Sequence, residues 1–178
     1  MIKYNPTMDW KNRSYCESLT LNKKDSDVVL YGWIDTIRDH GQLLFAHLRD
    51  VTGVVQLVFD PEKQKSVHSI AESLRSEFCV EIKGAVIERA DEAKNKSMPT
   101  GDIEIHVSEL VILTESKTPP FVITEKSQAD EEASAFNVDE DLRLKFRYLD
   151  LRRPSMQQTL LNRSKIIKTI RNYLDKQN

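Results

Sequence analysis

Three short segments rich in β-branched and aromatic residues, strung between Val28 and Phe59 and followed at once by a helix start, constrain this chain more than any other feature. Val28 to Ile37 (VVLYGWIDTI) reads as a strand, with Arg38-Asp39-His40-Gly41 as the turn after it. Leu43 to Asp50 alternates apolar and polar residues, Val51-Thr52-Gly53 turns the chain, and Val54 to Phe59 is the third strand. Asp60-Pro61-Glu62 then has the chemistry of a helix N-terminus: a capping carboxylate, a proline that needs no N–H, and an acid in the first turn. That helix is expected to run to about Leu74, with Val67, Ile70, Ala71 and Leu74 at core spacing. Two further strands follow, Cys79 to Arg89 and Ile103 to Leu113, separated by a charged loop ending in Met98-Pro99-Thr100-Gly101.

Three strands, a helix and two strands is the order of an oligonucleotide/oligosaccharide-binding (OB) barrel, a mainly β, five-stranded fold whose helix sits between strands three and four. With 178 residues the chain has room for one well-buried domain and an appendage. We divide it into a barrel over residues 1–114, an acidic linker over 115–141 with adjacent prolines and Asp130-Glu131-Glu132, and a basic segment over 142–178. In the last segment Pro154 opens a helix with Leu160, Ile166, Ile167, Ile170, Tyr173 and Leu174 along one side. No apolar run approaches the ~18 residues of a membrane span, and the start, MIKYNPTMDW, lacks an apolar signal core, so a cytoplasmic protein is expected, or one in an organelle after processing. Cys16 and Cys79 have no CxxC spacing, and His40, His47, His68 and His106 have neither ligand spacing nor an assignable carboxylate partner, so no disulfide or metal site is expected.

Net charge is −2, too little for a protein that holds nucleic acid by bulk electrostatics. Residues 142–178 alone carry ten basic side chains against two acidic ones. If RNA is the partner, the barrel must recognise it by shape, stacking and a few specific contacts. Strand alternation shows where. In Leu43 to Arg49, Leu44, Ala46 and Leu48 share the inward face, leaving Phe45, His47 and Arg49 outward; in the next strand Val55, Leu57 and Phe59 go inward and Gln56 outward, beside Phe45. A ring that can stack next to an amide that both donates and accepts is what reading an unpaired base requires, and OB barrels bind oligonucleotides on this face. Trp33, on the first strand, fits barrel packing better than a base platform.

Lys145 to Pro154, KFRYLDLRRP, interleaves Lys145, Arg147, Arg152 and Arg153 with Phe146, Tyr148, Leu149 and Leu151. Together with Leu142-Arg143-Leu144, KTPPF (Lys117 to Phe121), LRDVTGVVQLVFDP (Leu48 to Pro61) and GWIDTIRDHG (Gly32 to Gly41), it resembles the anticodon-binding domain and hinge of aspartyl-tRNA synthetases of bacterial or organellar type. The resemblance covers roughly residues 15–178. It implies a catalytically silent piece of an aspartate-tRNA ligase, whose ATP and Mg²⁺ belong to a catalytic domain beyond Asn178, with tRNA(Asp) as partner and a homodimer for the whole enzyme. By the same resemblance Phe45 stacks on the middle anticodon base and Gln56 reads it, with Arg38, Asp39 beside it, Arg89 and Glu104 as further anticodon contacts. Taken alone, Arg89 and Glu104 read as solvated surface charges. The chain departs from the family in having Thr36 and Ile37 where consecutive basic residues usually stand, so two phosphate contacts are missing. Two other readings are a free-standing OB module for single-stranded nucleic acid, and the same domain of a lysyl- or asparaginyl-tRNA synthetase; the hinge and the long terminal helix count against the first, KTPPF and LRRP against the second.

Overall fold

The computed structural model describes residues 10–123 and 138–177 in two compact units, which divide at Thr118 and Pro119. The acidic run Asp130-Glu131-Glu132 of the expected linker lies outside the described residues. Among those described, no helix is long and apolar enough to cross a membrane.

In the first unit five strands, β1 (Asp27–His40), β2 (Leu43–Arg49), β3 (Val54–Phe59), β4 (Cys79–Glu88) and β5 (Ile103–Thr114), close into a barrel in the order β1-β2-β3-β5-β4. All neighbours are antiparallel except β3 and β5, which pair in parallel. Alternation fills the interior as expected, with Leu48, Val55, Leu57, Val80, Ile82 and Ile105 each fully buried. The core cluster draws on side chains from Cys16 to Leu110, so the barrel completes its core within its own unit. At Gly84 β4 lies close against β5: a Cβ there would stand 2.4 Å from the carbonyl oxygen of His106.

Two elements differ from the sequence expectation. β1 continues through Arg38, Asp39 and His40, which pair with Phe45, Leu44 and Leu43, so the turn shrinks to Gly41 and Gln42. Gly41 takes φ +79 at the first central position and donates its N–H to Asp39 Oδ1 at 2.9 Å, a two-residue hairpin that keeps the twisted ladder unbroken. Polar residues suggested a loop, and cross-strand pairing overrode them. The helix α1 covers only Lys65–Ala71. Asp60 spends its carboxylate on a local turn, accepting from the N–H of Glu62 at 2.9 Å, which delays the helix by several residues. Ile70 is consequently 41% exposed, whereas Val67, Ala71 and Leu74 are buried.

The second unit contains three helices, α2 (Glu140–Lys145), α3 (Arg147–Asp150) and α4 (Pro154–Asp175), the last opening with proline in its first turn. Asp150 ties them together. Its fully buried carboxylate accepts from Arg143 Nε of α2 at 2.9 Å and from Arg147 Nη1 of α3 at 2.7 Å, with Arg153 Nη1, at the start of α4, 3.5 Å away. Hydrogen bonding to Arg143 comes first among the influences that hold this carboxyl below its ordinary pKa. No residue of α4 is buried, and Leu160, Ile166, Ile167, Ile170, Tyr173 and Leu174 are 40 to 63% exposed.

Candidate nucleic-acid interface

Strand register arranges the outward side chains of the barrel in two transverse rows. One runs Arg38, Phe45, Val58 and His106 across β1, β2, β3 and β5, each residue the direct partner of the next. The other runs Thr36, His47 and Gln56, and continues to Glu104 through a hydrogen bond from Gln56 Nε2 to Glu104 Oε2 at 3.0 Å. Phe45 and Gln56 therefore share a face, as alternation requires, but are diagonal: Gln56 stands opposite His47, and Phe45 opposite Val58. The Phe45 ring is half-buried and meets His40 edge-on, at 5.5 Å between centroids and 83° between planes. Its cross-strand partner Arg38 is exposed, as is Asp39.

At the far end of the second row Glu104 accepts twice more than a solvated carboxylate needs to. His106 Nε2 lies 2.9 Å from its Oε1, Gln56 holds its Oε2, and Arg89 Nε is 4.0 Å from the same oxygen. Burial by itself would raise the Glu104 pKa, but the hydrogen bonds from His106 and Gln56 and the charge of Arg89 bring it below the ordinary carboxylate value. Arg89 is itself buried, 5% exposed, donating Nε to the Ile103 carbonyl at 2.8 Å, with Nη2 enclosed and without a hydrogen-bond partner. Burial depresses its pKa, which the charges of Glu104 and Asp102 oppose. The reading of Arg89 and Glu104 as solvated surface charges is thus overturned. So is the expectation that no histidine has a carboxylate partner: His106 meets Glu104, and His68 meets Glu72 at 3.8 Å. Lys63 Nζ, on the turn after β3, lies 3.1 Å from the other ring nitrogen of His106. His47 is half-buried, and burial first, then the charge of Arg38, lowers its pKa.

Of the residues expected from sequence, Arg38, Asp39, Phe45, Gln56, Arg89 and Glu104, the structure brings Gln56, Arg89 and Glu104 into one group and sets Phe45 and Arg38 together in the adjacent row. His47 was placed outward from sequence without a role, and His106 and Lys63 were not singled out for this face. The signal for His106 was available, since it lies two residues after Glu104 and alternation must put both on one face. Lys63 lay hidden in a segment read as helix. Trp33 is half-buried on β1 between Arg49 of β2 and Cys79 of β4, outside both rows.

Residues 28–113 match the family described as OB-fold nucleic acid binding domain, and residues 139–178 match the tRNA synthetases class II (D, K and N). Barrel, outward rows and matches define the class: a nucleic-acid-binding OB domain of the class II tRNA synthetases. Over 171 residues the chain is 46% identical to aspartate–tRNA(Asp/Asn) ligase 1 of Syntrophus aciditrophicus (strain SB), covering 94% of this chain and 24% of that protein. Its homologues are aspartate–tRNA ligases, and it matches their anticodon-binding region. It spans about a quarter of the length of the curated relatives it matches. Among solved structures, asparaginyl-tRNA synthetase from Pyrococcus horikoshii complexed with asparaginyl-adenylate aligns over 92% of this chain and 34% of its own, with 25% identity and a TM-score of 0.71. Aspartyl tRNA synthetase from Entamoeba histolytica aligns over 93% of this chain and 37% of its own at 20% identity and a TM-score of 0.77, a likeness of fold alone.

Proposed function

We propose that this chain binds the anticodon of tRNA(Asp) as part of an aspartate–tRNA ligase, with Phe45 stacking on the middle base and Gln56 reading its edge. The observation that carries this is the pair of outward rows, which put a half-exposed ring diagonal to a tethered amide on the β2 and β3 face. Arg38 and Asp39, exposed at the end of β1, lie where backbone and neighbouring bases would pass. Arg89 and Glu104 contribute from behind, since the burial of Arg89 supports a role in holding Glu104 more than one in touching RNA. The basic segment 142–178 supplies the positive charge that the barrel lacks. Joining aspartate to tRNA, with ATP and Mg²⁺, falls to the three quarters of the relatives' length that this chain does not span, and the whole enzyme is a cytoplasmic homodimer in this reading. The match at 139–178 disfavours a free-standing single-strand-binding module.

The test is the affinity for anticodon stem-loops. A GUC loop is expected to bind well above a loop with an unrelated triplet, and equal binding of the two overturns the proposal. A GUU loop, which shares the first two bases, reports whether the chain follows the tRNA(Asp/Asn) naming of its Syntrophus relative.

A further inference from the structure

We propose that His106, held by Lys63, is a positioning residue that fixes which way round Gln56 presents its amide, and so decides between uracil and cytosine at the middle anticodon position. The inference deepens the reading that Gln56 faces that base, and rests on it.

An ammonium can only donate, so Lys63 Nζ at 3.1 Å makes His106 Nδ1 the acceptor and leaves the ring proton on Nε2. That proton is given to Glu104 Oε1 at 2.9 Å. The ionised carboxylate can only accept, and with Oε1 occupied it offers Oε2 to Gln56, 3.0 Å away. The end of the amide facing Glu104 must therefore be nitrogen; turning the amide over would set its oxygen against a carboxylate oxygen. On the other side His47 stands directly opposite Gln56 on β2.

A free amide reads either pyrimidine, since its N–H and C=O pair with O4 and N3–H of uracil and, turned over, with N3 and N4–H of cytosine. A tethered amide meets only one of these orders. The middle base of the aspartate anticodon is uracil, and the tether to Glu104 is the feature that would make cytosine costly there. His106 and Lys63 touch no base in this scheme. They act by keeping Glu104 aimed.

The experiment uses the full 178-residue chain and two stem-loops that differ only in U or C at the middle position. The readout is the ratio of their dissociation constants, which uniform losses of phosphate contact leave unchanged. His106→Leu is expected to shrink the preference for U by about tenfold, the order of one base-edge hydrogen bond, while His106→Gln, which restores a donor toward Glu104, recovers it. Lys63→Met, at an exposed position that cannot unfold the barrel, is expected to shift the ratio in the same direction by a smaller factor. Gln56→Ala is the control for the underlying reading. If it leaves the ratio untouched, Gln56 does not read the base and the proposed function of that residue fails. If Gln56→Ala abolishes the preference and neither His106→Leu nor Lys63→Met alters it, the positioning role is overturned.

Discussion

Phe45 and Leu48 lie three residues apart on β2 and face opposite ways, so truncating each has a different consequence. Phe45→Ala is expected to weaken binding of the GUC stem-loop by about 1 to 3 kcal/mol, the worth of one stacked base, and to lower the melting temperature less than Leu48→Ala. Leu48 is fully buried, and Leu48→Ala should cost about 2 to 5 kcal/mol of stability because the core closes only partly around the lost methyls. Denaturant titration and stem-loop binding on the two variants separate these effects. His47 adds a dependence on pH. Its folded pKa lies below the ordinary 6.5, so the fold prefers the neutral ring; that stability is complete above pH 6.5 and is lost as pH falls through the folded value. The urea midpoint should decline on acidification below neutrality, and His47→Gln should remove part of the decline; an unchanged slope would contradict the assignment. Glu104, depressed from 4.5, adds its own loss only in more acid solution. Inward and outward placement at this scale was legible, because period-two alternation sorts Leu44, Ala46 and Leu48 from Phe45 without any knowledge of neighbours. The row each residue occupies was not, since that depends on register: nothing within β2 or β3 says that Phe45 meets Val58.

At the scale of elements, the five strands could be read from composition, and the errors fell at their ends. β1 gained three residues because pairing with β2 continued through polar side chains, and α1 lost its first turn to a competing hydrogen bond from Asp60. Arg89 follows β4 in a position where sequence suggests solvent, yet the backbone bond from its N–H to the Asp102 carbonyl at 2.9 Å folds it against β5 and encloses its side chain. The hinge was recognisable as a motif, whereas its mechanics were not: Arg147 and Arg153 of KFRYLDLRRP, with Arg143 just before it, converge on Asp150. Asp150→Asn removes the charge that draws α2, α3 and the start of α4 together. Loss of charge-assisted hydrogen bonds is expected to speed amide exchange at Phe146 and Leu149 by about ten- to hundredfold, with the amides of Leu48 and Val55 in the barrel unaffected. Equal acceleration in both units would show that Asp150 serves global stability.

At the scale of the whole chain, the barrel's core is complete within residues Cys16 to Leu110, while α4 carries an apolar side that stays exposed. Removing residues 155–178 is therefore expected to leave the barrel's melting temperature unchanged and to abolish any self-association of the chain seen by analytical ultracentrifugation; a large fall in melting temperature would show that the helix belongs to the barrel. The same division separates charge from recognition, because the strongly basic stretch and the outward rows belong to different units. The salt dependence of tRNA binding should accordingly flatten when residues 142–178 are removed, with base preference at the middle position retained.

Gly84 lies on β4 beside Ala85, the register partner of His106, and its bare backbone is what allows β4 to approach the carbonyl of His106. Any side chain there must push that segment of β5 aside, and Glu104 and His106 move with it. A saturation scan scored only by RNA binding is thus expected to flag Gly84 alongside Gln56, although Gly84 has no side chain to offer a nucleotide, and a map drawn from such hits would overstate the footprint on β4.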